Sequence, residues 1–422
     1  MRSRALLHLL AVAAAAVSAA LLIASSPASA FDGLEDMRQW CDRVEKKTPV
    51  YADEDPDDDD HMPSRPTSYD DNQFSKKVKG LYKHKKGRSY GKPRRPGRKL
   101  DEVLNALTLT NAAAKKASAD PPIIVVAKDG TGHVSTVQAA VNRIPKGNKK
   151  RVVIFVKKGI YREKVRIPKT KPFITLKGEG AALTYIQWGD TASTKGPDGK
   201  NLSTYGSASV AVESDDFIAL DIAFKNTAPA PQGGEFGKQA VALRIQGDRA
   251  AFYRCSFFGA QDTLYDRAGR HYYYKCYIEG SIDFIFGNAR SLFVKCHMHS
   301  IATPFGSISA HKRMEPSENT GYSFVYSVVT GSGTIYLGRA WGPYSRVIYA
   351  YTYFDNIITP QGWNDFGLPA NQKKVFYGEY KCFGPGADRT GRVAWSYKLT
   401  SKQARPFLSL GFIDGKEWVS KQ

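Results

Sequence analysis

Ala251-Phe252-Tyr253-Arg254-Cys255, Tyr272-Tyr273-Tyr274-Lys275-Cys276 and Leu292-Phe293-Val294-Lys295-Cys296 are three versions of one phrase. Each runs through bulky apolar or aromatic residues to a basic residue and then a cysteine, and the cysteines stand 21 and then 20 residues apart. Looser copies follow at Phe324-Val325-Tyr326 and Val347-Ile348-Tyr349. Short runs rich in aromatic and β-branched residues read as strands. A repeat of about 20–24 residues with strands and turns but no helix is the mark of a stacked solenoid. The expected fold class is therefore all-β, a right-handed parallel β-helix (single-stranded solenoid) with short flanking helices. A β-sandwich also uses short strands, but it does not place like residues at a fixed period.

The texture holds on either side. Strands are expected at residues 123–126, 152–156, 173–176, 209–212, 217–224 and 240–245, with turns marked by Gly130 and Gly132. Ser135 and Gln138 form a capping-box pattern ahead of a short helix over residues 137–141. Residues 401–410 read as a further helix that packs against the stack or caps it. Equivalent residues of adjacent turns sit about 4.8 Å apart, the interstrand spacing. Cys255, Cys276 and Cys296 then form one column, either as small buried thiols or with two neighbours joined as a disulfide. The five cysteines lack zinc-type spacing, and their odd number leaves at least one unpaired within the chain.

With 42% hydrophobic and 12% aromatic residues, the 422-residue chain holds enough apolar mass for a large core, which excludes disorder throughout. Only one long apolar run is present, which excludes a polytopic membrane protein. That run, residues 5–23, follows Arg2 and Arg4 and precedes Ala28-Ser29-Ala30, so residues 1–30 read as a secretory signal peptide. Its length leaves an uncleaved anchor as the alternative. Secretion permits disulfides and gives meaning to the glycosylation sequon Asn201-Leu202-Ser203, occupied or not. Residues 31–120 read, from composition, as a charged, disordered N-terminal region or linker. Seven acids fill eight positions over residues 53–60, and twelve basic residues with no acid lie in residues 76–99. The formal net charge is +21; residues 1–99 carry +5 of it, leaving +16 on the remainder. A basic folded body in an exported protein suits an acidic extracellular partner rather than nucleic acid.

The stacking rule also gathers polar residues. Gln239, Gln261 and Asp283 are spaced by 22, and Asp262 precedes Asp283 by 21. With coils of 21 or 22 residues, these four converge on one patch. Arg339 and Trp341 come after further turns, and spacing does not place them. Two carboxylates about 5 Å apart do not both ionise easily, so one keeps a proton. A nearby arginine would hold the other ionised, and two amides would supply donors for a developing oxyanion. Carboxylate attack on an ester carbonyl, with the neighbouring acid protonating the leaving alkoxide, is a coherent scheme for such a set. Spacing alone leaves bland alternatives: an Asp262 turn, a structural Asp283–Arg339 ion pair, or a glutamine ladder. His297 and His299 alternate along a strand, but a pair without a third ligand is structural rather than a metal site.

At these residues the chain closely resembles the plant pectin methylesterases. The matching stretches are Gly159-Ile160-Tyr161-Arg162-Glu163, Gln239-Ala240-Val241-Ala242-Leu243-Arg244, Gly259-Ala260-Gln261-Asp262-Thr263-Leu264, Asp283-Phe284-Ile285-Phe286-Gly287-Asn288-Ala289 and Leu337-Gly338-Arg339-Ala340-Trp341. They occur in the family's order and place a catalytic domain over residues 121–418. The resemblance implies a secreted carboxylic ester hydrolase of the plant cell wall that removes methyl groups from the C6 esters of homogalacturonan. In that reading Asp283 is the nucleophile, Asp262 the proton donor and then the base, and Gln239 and Gln261 the oxyanion hole. Arg339 orients Asp283 and contacts substrate, Trp341 stacks on a sugar ring, and Thr204 matches a substrate-contact position. Trp363 and Tyr265 are weaker cleft candidates. The resemblance implies no cofactor and no metal, a monomer without stable membrane insertion after signal cleavage, and a proteinaceous inhibitor as a further partner. One departure is visible: many members carry a four-cysteine helical pro-region, whereas residues 31–120 hold only Cys41. Arg98-Lys99-Leu100 resembles the basic site that precedes mature members. Other readings are a non-catalytic wall-binding module, or another β-helix pectinase that cleaves the chain.

Overall fold

The computed structural model describes residues 121–232 and 235–419. The signal segment, the two charge blocks and Cys41 lie outside the described residues. All named strands pair in parallel. An eleven-stranded sheet runs from Ile123–Val126 through Ala250–Tyr253, Arg270–Tyr274 and Arg290–Val294 to Tyr397–Lys398. A fourteen-stranded sheet is folded into two halves. Its long strand His297–His311 continues one half with its beginning and the other with its end. The result is a parallel β-helix of three strand faces around one core.

A single residue makes the corner between the first sheet and the second on coil after coil. Asp221, Arg254, Lys275, Lys295, Tyr326, Tyr351 and Lys381 all adopt left-handed backbone, with φ between 48° and 53° except Lys295 at 55°. One such residue turns the chain sharply without inserting a loop, at a cost of roughly 1–3 kcal/mol each that the surrounding ladders must offset. This corner divides the expected strand over 217–224 into Ile218–Leu220 and Ala223–Asn226, broken at Asp221.

The residue after each corner points inward. There Cys255, Cys276 and Cys296 stack, followed by Ser327, Thr352 and Cys382 in the same column. The four thiols are free, which settles the disulfide alternative for them. The Cys276, Cys296 and Cys382 thiols lie 3.5, 3.5 and 3.4 Å from the carbonyl oxygens of Phe252, Tyr273 and Tyr349 on other coils. Next to this column Phe252, Tyr273, Phe293, Phe324 and Tyr349 form a ladder of stacked rings, 4.4–4.8 Å between successive centroids. Such pairs add roughly 0.5–1.5 kcal/mol each beyond the area they bury.

Helix α1 (Val137–Arg143) packs on strands Ile123–Val126, Val152–Val156 and Val165–Ile167, burying Val137, Ala140 and Val141 in the core. The expected capping box is not made. Thr136, not Ser135, caps the helix, its hydroxyl accepting from Ala139 N at 3.2 Å. Gln138 instead accepts from Arg166 N at 2.7 Å and donates to Asn142. Glu163 takes over, accepting from Val137 N and Gln138 N at 2.8 and 2.9 Å.

Near the other end, residues 401–410 do not form one helix. A four-residue turn, Ser401–Ala404, opens with a true Thr400/Gln403 capping box and gives way to 3-10 turns Arg405–Phe407 and Leu410–Ile413. Pro406 has no N–H to continue the helical ladder. The segment covers the outer side of the first sheet rather than an end of the stack. Phe407, Leu410, Phe412, Ile413 and Trp418 join Tyr272, Leu292 and Ile348 in one apolar cluster, and Asp414 is held by Arg270 and Arg290.

Candidate active site

The half-sheet built on Leu243–Ile245, Leu264–Asp266 and Ile285–Gly287 has a coil length of 21 residues here, with Leu243 registered on Leu264 and Leu264 on Ile285. Side chains alternate across a strand. The inward column reads Leu243, Leu264, Ile285, Ser309, Gly338, Trp363; its outward neighbour reads Arg244, Tyr265, Phe286, Ala310, Arg339, Asn364. The 21-residue coil puts Asp262 and Asp283 in one column just ahead of these strands, each with left-handed backbone (φ 66° and 49°). The spacing of 22 places the glutamines out of step. Gln261 aligns with Ala240, whose N–H donates to Gln261 O at 3.1 Å, and Gln239 is one residue removed. Even so, Gln239, Gln261, Asp262, Asp283, Thr204, Arg339 and Trp341 all line a single cleft of about 490 Å³.

Tyr265 lines the cleft as well, stacked on Phe286 at 4.3 Å. Trp363 does not. It belongs to the inward column, is 1% exposed, stacks on Tyr377 at 4.4 Å and donates its ring N–H to Glu379 at 3.3 Å. That register turns Trp363 into the core, away from the cleft where it was expected.

Arg339, which spacing could not place, follows Ala310 in the outward column. Its Nη1 donates to Asp283 Oδ2 at 2.9 Å. The small Ala310 between Phe286 and Arg339 leaves the arginine room to reach across it. The other Asp283 oxygen, Oδ1, accepts from the Ser307 hydroxyl at 2.8 Å. Ser307 was not legible in the sequence, because its coil is longer than the regular ones: Ile285 registers with Ser309, 24 residues on. Phe366 was missed too. Its ring lies over the Arg339 guanidinium at 4.4 Å, in a loop where Asn364 Oδ1 accepts from Phe366 N at 2.8 Å. At the same end Lys312 Nζ lies 4.4 Å from the Trp341 ring. At the opposite end Tyr205 covers the Arg244 guanidinium at 3.6 Å.

The two acids differ in environment. Asp262 is 9% exposed. Burial pushes its carboxyl well above the ordinary range, neighbouring Asp283 pushes it further, and Arg339 opposes only in part. Burial also raises Asp283, but there the Arg339 charge and the Ser307 hydrogen bond favour the carboxylate. A proton shared by the pair therefore rests on Asp262. The site thus presents a carboxyl whose ionised form is held from two sides, a second carboxyl beside it that keeps a proton more readily, and two amide side chains, a set suited to acyl transfer.

His297 and His299 lie on the other half of the sheet, where both contact the Thr330 hydroxyl, at 2.7 and 3.0 Å. Burial depresses both, His297 to about 3, so they are neutral. Among the described residues no group of three or more His, Cys, Asp or Glu could hold a metal.

Comparison with known proteins agrees with the fold. The model of the family described as Pectinesterase matches residues 123–416. Pectinesterase QRT1 of Arabidopsis thaliana is 51% identical over 322 residues, which is 76% of this chain and 84% of that protein. A pectin methylesterase from carrot superposes with a TM-score of 0.65 at 36% identity, over 72% of this chain and 97% of the other. A pectin methylesterase solved in complex with a hexasaccharide superposes with a TM-score of 0.59 at 27% identity, over 70% and 98%. With the strand register and the paired acids already in place, these matches make the conclusion direct: the chain belongs to the pectinesterase family.

Proposed function

We propose that this protein is a secreted pectin methylesterase that hydrolyses C6 methyl esters of homogalacturonan through a covalent aspartyl intermediate. The observation that carries the reading is the column of Asp262 and Asp283 in the cleft, with Arg339 and Ser307 on Asp283 and the proton driven to Asp262. Asp283 attacks the ester carbonyl carbon, and the carbonyl oxygen takes up charge towards the Gln239 and Gln261 amides. As the carbon–methoxy bond breaks, Asp262 gives its proton to the departing methoxide, which leaves as methanol. Asp262, now a carboxylate, removes a proton from water, whose oxygen attacks the acyl–Asp283 carbonyl. The bond to Asp283 breaks, the uronic acid leaves, and both aspartates return to their first states. Arg339 steadies Asp283, and Thr204 and Trp341 contact the sugar. The complex of a relative with a hexasaccharide supports a saccharide in this cleft, as does the positive charge of the body facing an acidic polymer.

Export by the segment 1–30, action in the plant cell wall and a catalytic region over 121–418 complete the proposal. A methanol-release assay on methylated pectin tests it. Asp283→Ala is expected to abolish release while the circular dichroism spectrum and melting temperature stay near those of the parent. Full activity in that variant overturns the assignment of the nucleophile.

A further inference from the structure

The sequon Asn201-Leu202-Ser203 has an unusual position for a solvent-facing modification site. Asn201 is exposed and pairs with Lys195 across a small antiparallel hairpin. The hairpin is closed by Gly196 N donating to Lys200 O at 2.8 Å and by Leu202 N donating to Thr194 O at 2.9 Å. Its tip, residues 197–200, is exposed. Directly after Asn201 the chain turns into the cleft wall: Ser203, Thr204 and Tyr205 all line the cleft. Two residues span at most about 7 Å. Asn201 is therefore an anchored, outward-facing position on the rim, at the end of the cleft where Tyr205 covers Arg244.

We propose that Asn201 carries an N-linked glycan that stands over this end of the cleft and restricts the entry of long polymer. The proposal rests on the export and esterase reading above. In the transfer, Asn201 Nδ2 bonds to the anomeric carbon of a lipid-diphosphate-linked oligosaccharide. The bond from that carbon to the diphosphate oxygen breaks, and the amide proton passes to the released lipid diphosphate. A branched oligosaccharide is bulky compared with a cleft of about 490 Å³. A short ester reaches Asp262 and Asp283 from the open side, whereas a long chain must also run past the rim.

The test uses the full chain secreted from a eukaryotic host. Peptide mass mapping before and after an endoglycosidase that leaves one sugar reads occupancy at Asn201. Methanol release is then measured on long pectin and on a short methylated oligogalacturonate, with the native, trimmed and Asn201→Gln proteins. Trimming and Asn201→Gln are each expected to lower KM for long pectin at least about twofold, leaving kcat and the short substrate unchanged. An unmodified Asn201 in the secreted protein overturns the proposal. So does an occupied site whose removal leaves the ratio of the two substrates unmoved. Release from neither substrate by the native protein overturns instead the esterase reading, and the gate with it, while the mass map reads occupancy independently.

Discussion

Replacing Ser307 with alanine isolates one of the two supports of the nucleophile. Ser307 is 1% exposed, and its hydroxyl donates to Asp283 Oδ1 at 2.8 Å. Hydrogen bonds to charged groups contribute about 1.5–3 kcal/mol. At 1.36 kcal/mol per pH unit, that corresponds to a rise of about 1–2 units in the Asp283 pKa. The sign follows from the proposed mechanism. Asp283 must be ionised to attack, the hydroxyl stabilises the ionised form, and its loss makes protonation easier. The acid limb of the kcat/KM profile should therefore move up by about 1–2 pH units. The basic limb, set by loss of the Asp262 proton, should stay nearly in place. Activity is lost mainly at low pH and largely recovered above the displaced limb, because Arg339 still holds Oδ2. Ser307→Thr keeps the hydroxyl and should keep the parental profile. The assay is methanol release from methylated pectin across the pH range, with melting temperature as a check on folding. An acid limb that does not move, or a loss by the same factor at every pH, refutes the reasoning.

Asp262→Asn should lower methanol release by about 10²–10⁴-fold, the usual worth of a general acid–base group. A substitution that leaves the rate unchanged removes Asp262 from the mechanism. The same variant tests its electrostatics. A buried carboxyl with a raised pKa contributes no penalty while neutral in both states, and it destabilises the fold increasingly as pH rises above the unfolded value of about 3.9. The melting temperature of Asp262→Asn relative to the parent should thus climb between about pH 4 and pH 7; a constant difference counts against burial as the cause. Glu163→Ala removes the acceptor for two N–H groups at the start of α1. It should destabilise the protein by about 1–2 kcal/mol in thermal or denaturant unfolding without changing methanol release, and an unchanged stability denies the cap its role.

Much of the fold was legible because a solenoid repeats its physics at every turn. The Cys255, Cys276 and Cys296 phrase gave the coil length, and that length alone predicted Asp262 above Asp283. Features that break the repeat were not legible. Ser307 and Arg339 lie on coils of irregular length, with register shifts inside the pairing of His297–His311 with Val328–Arg339. Trp363 and Phe366 are three residues apart, and of the two only Trp363 stood out as a cleft candidate. Register sends Trp363 into the core, while the loop after it brings Phe366 over Arg339. The capping pattern at Ser135 and Gln138 failed for a related reason: a carboxylate 26 residues from Val137, Glu163, competes successfully for the same N–H groups.

Local pattern and period, then, were enough to establish a stacked parallel sheet and the pairing of the two acids. These properties depend on neighbours one coil away, and that distance is written in the chain. Which acid keeps the proton, what grips the other one and which aromatics face the cleft depend on burial and on groups brought in from distant coils. Solvent exclusion and Coulomb interaction act through space, so only the assembled structure decides them.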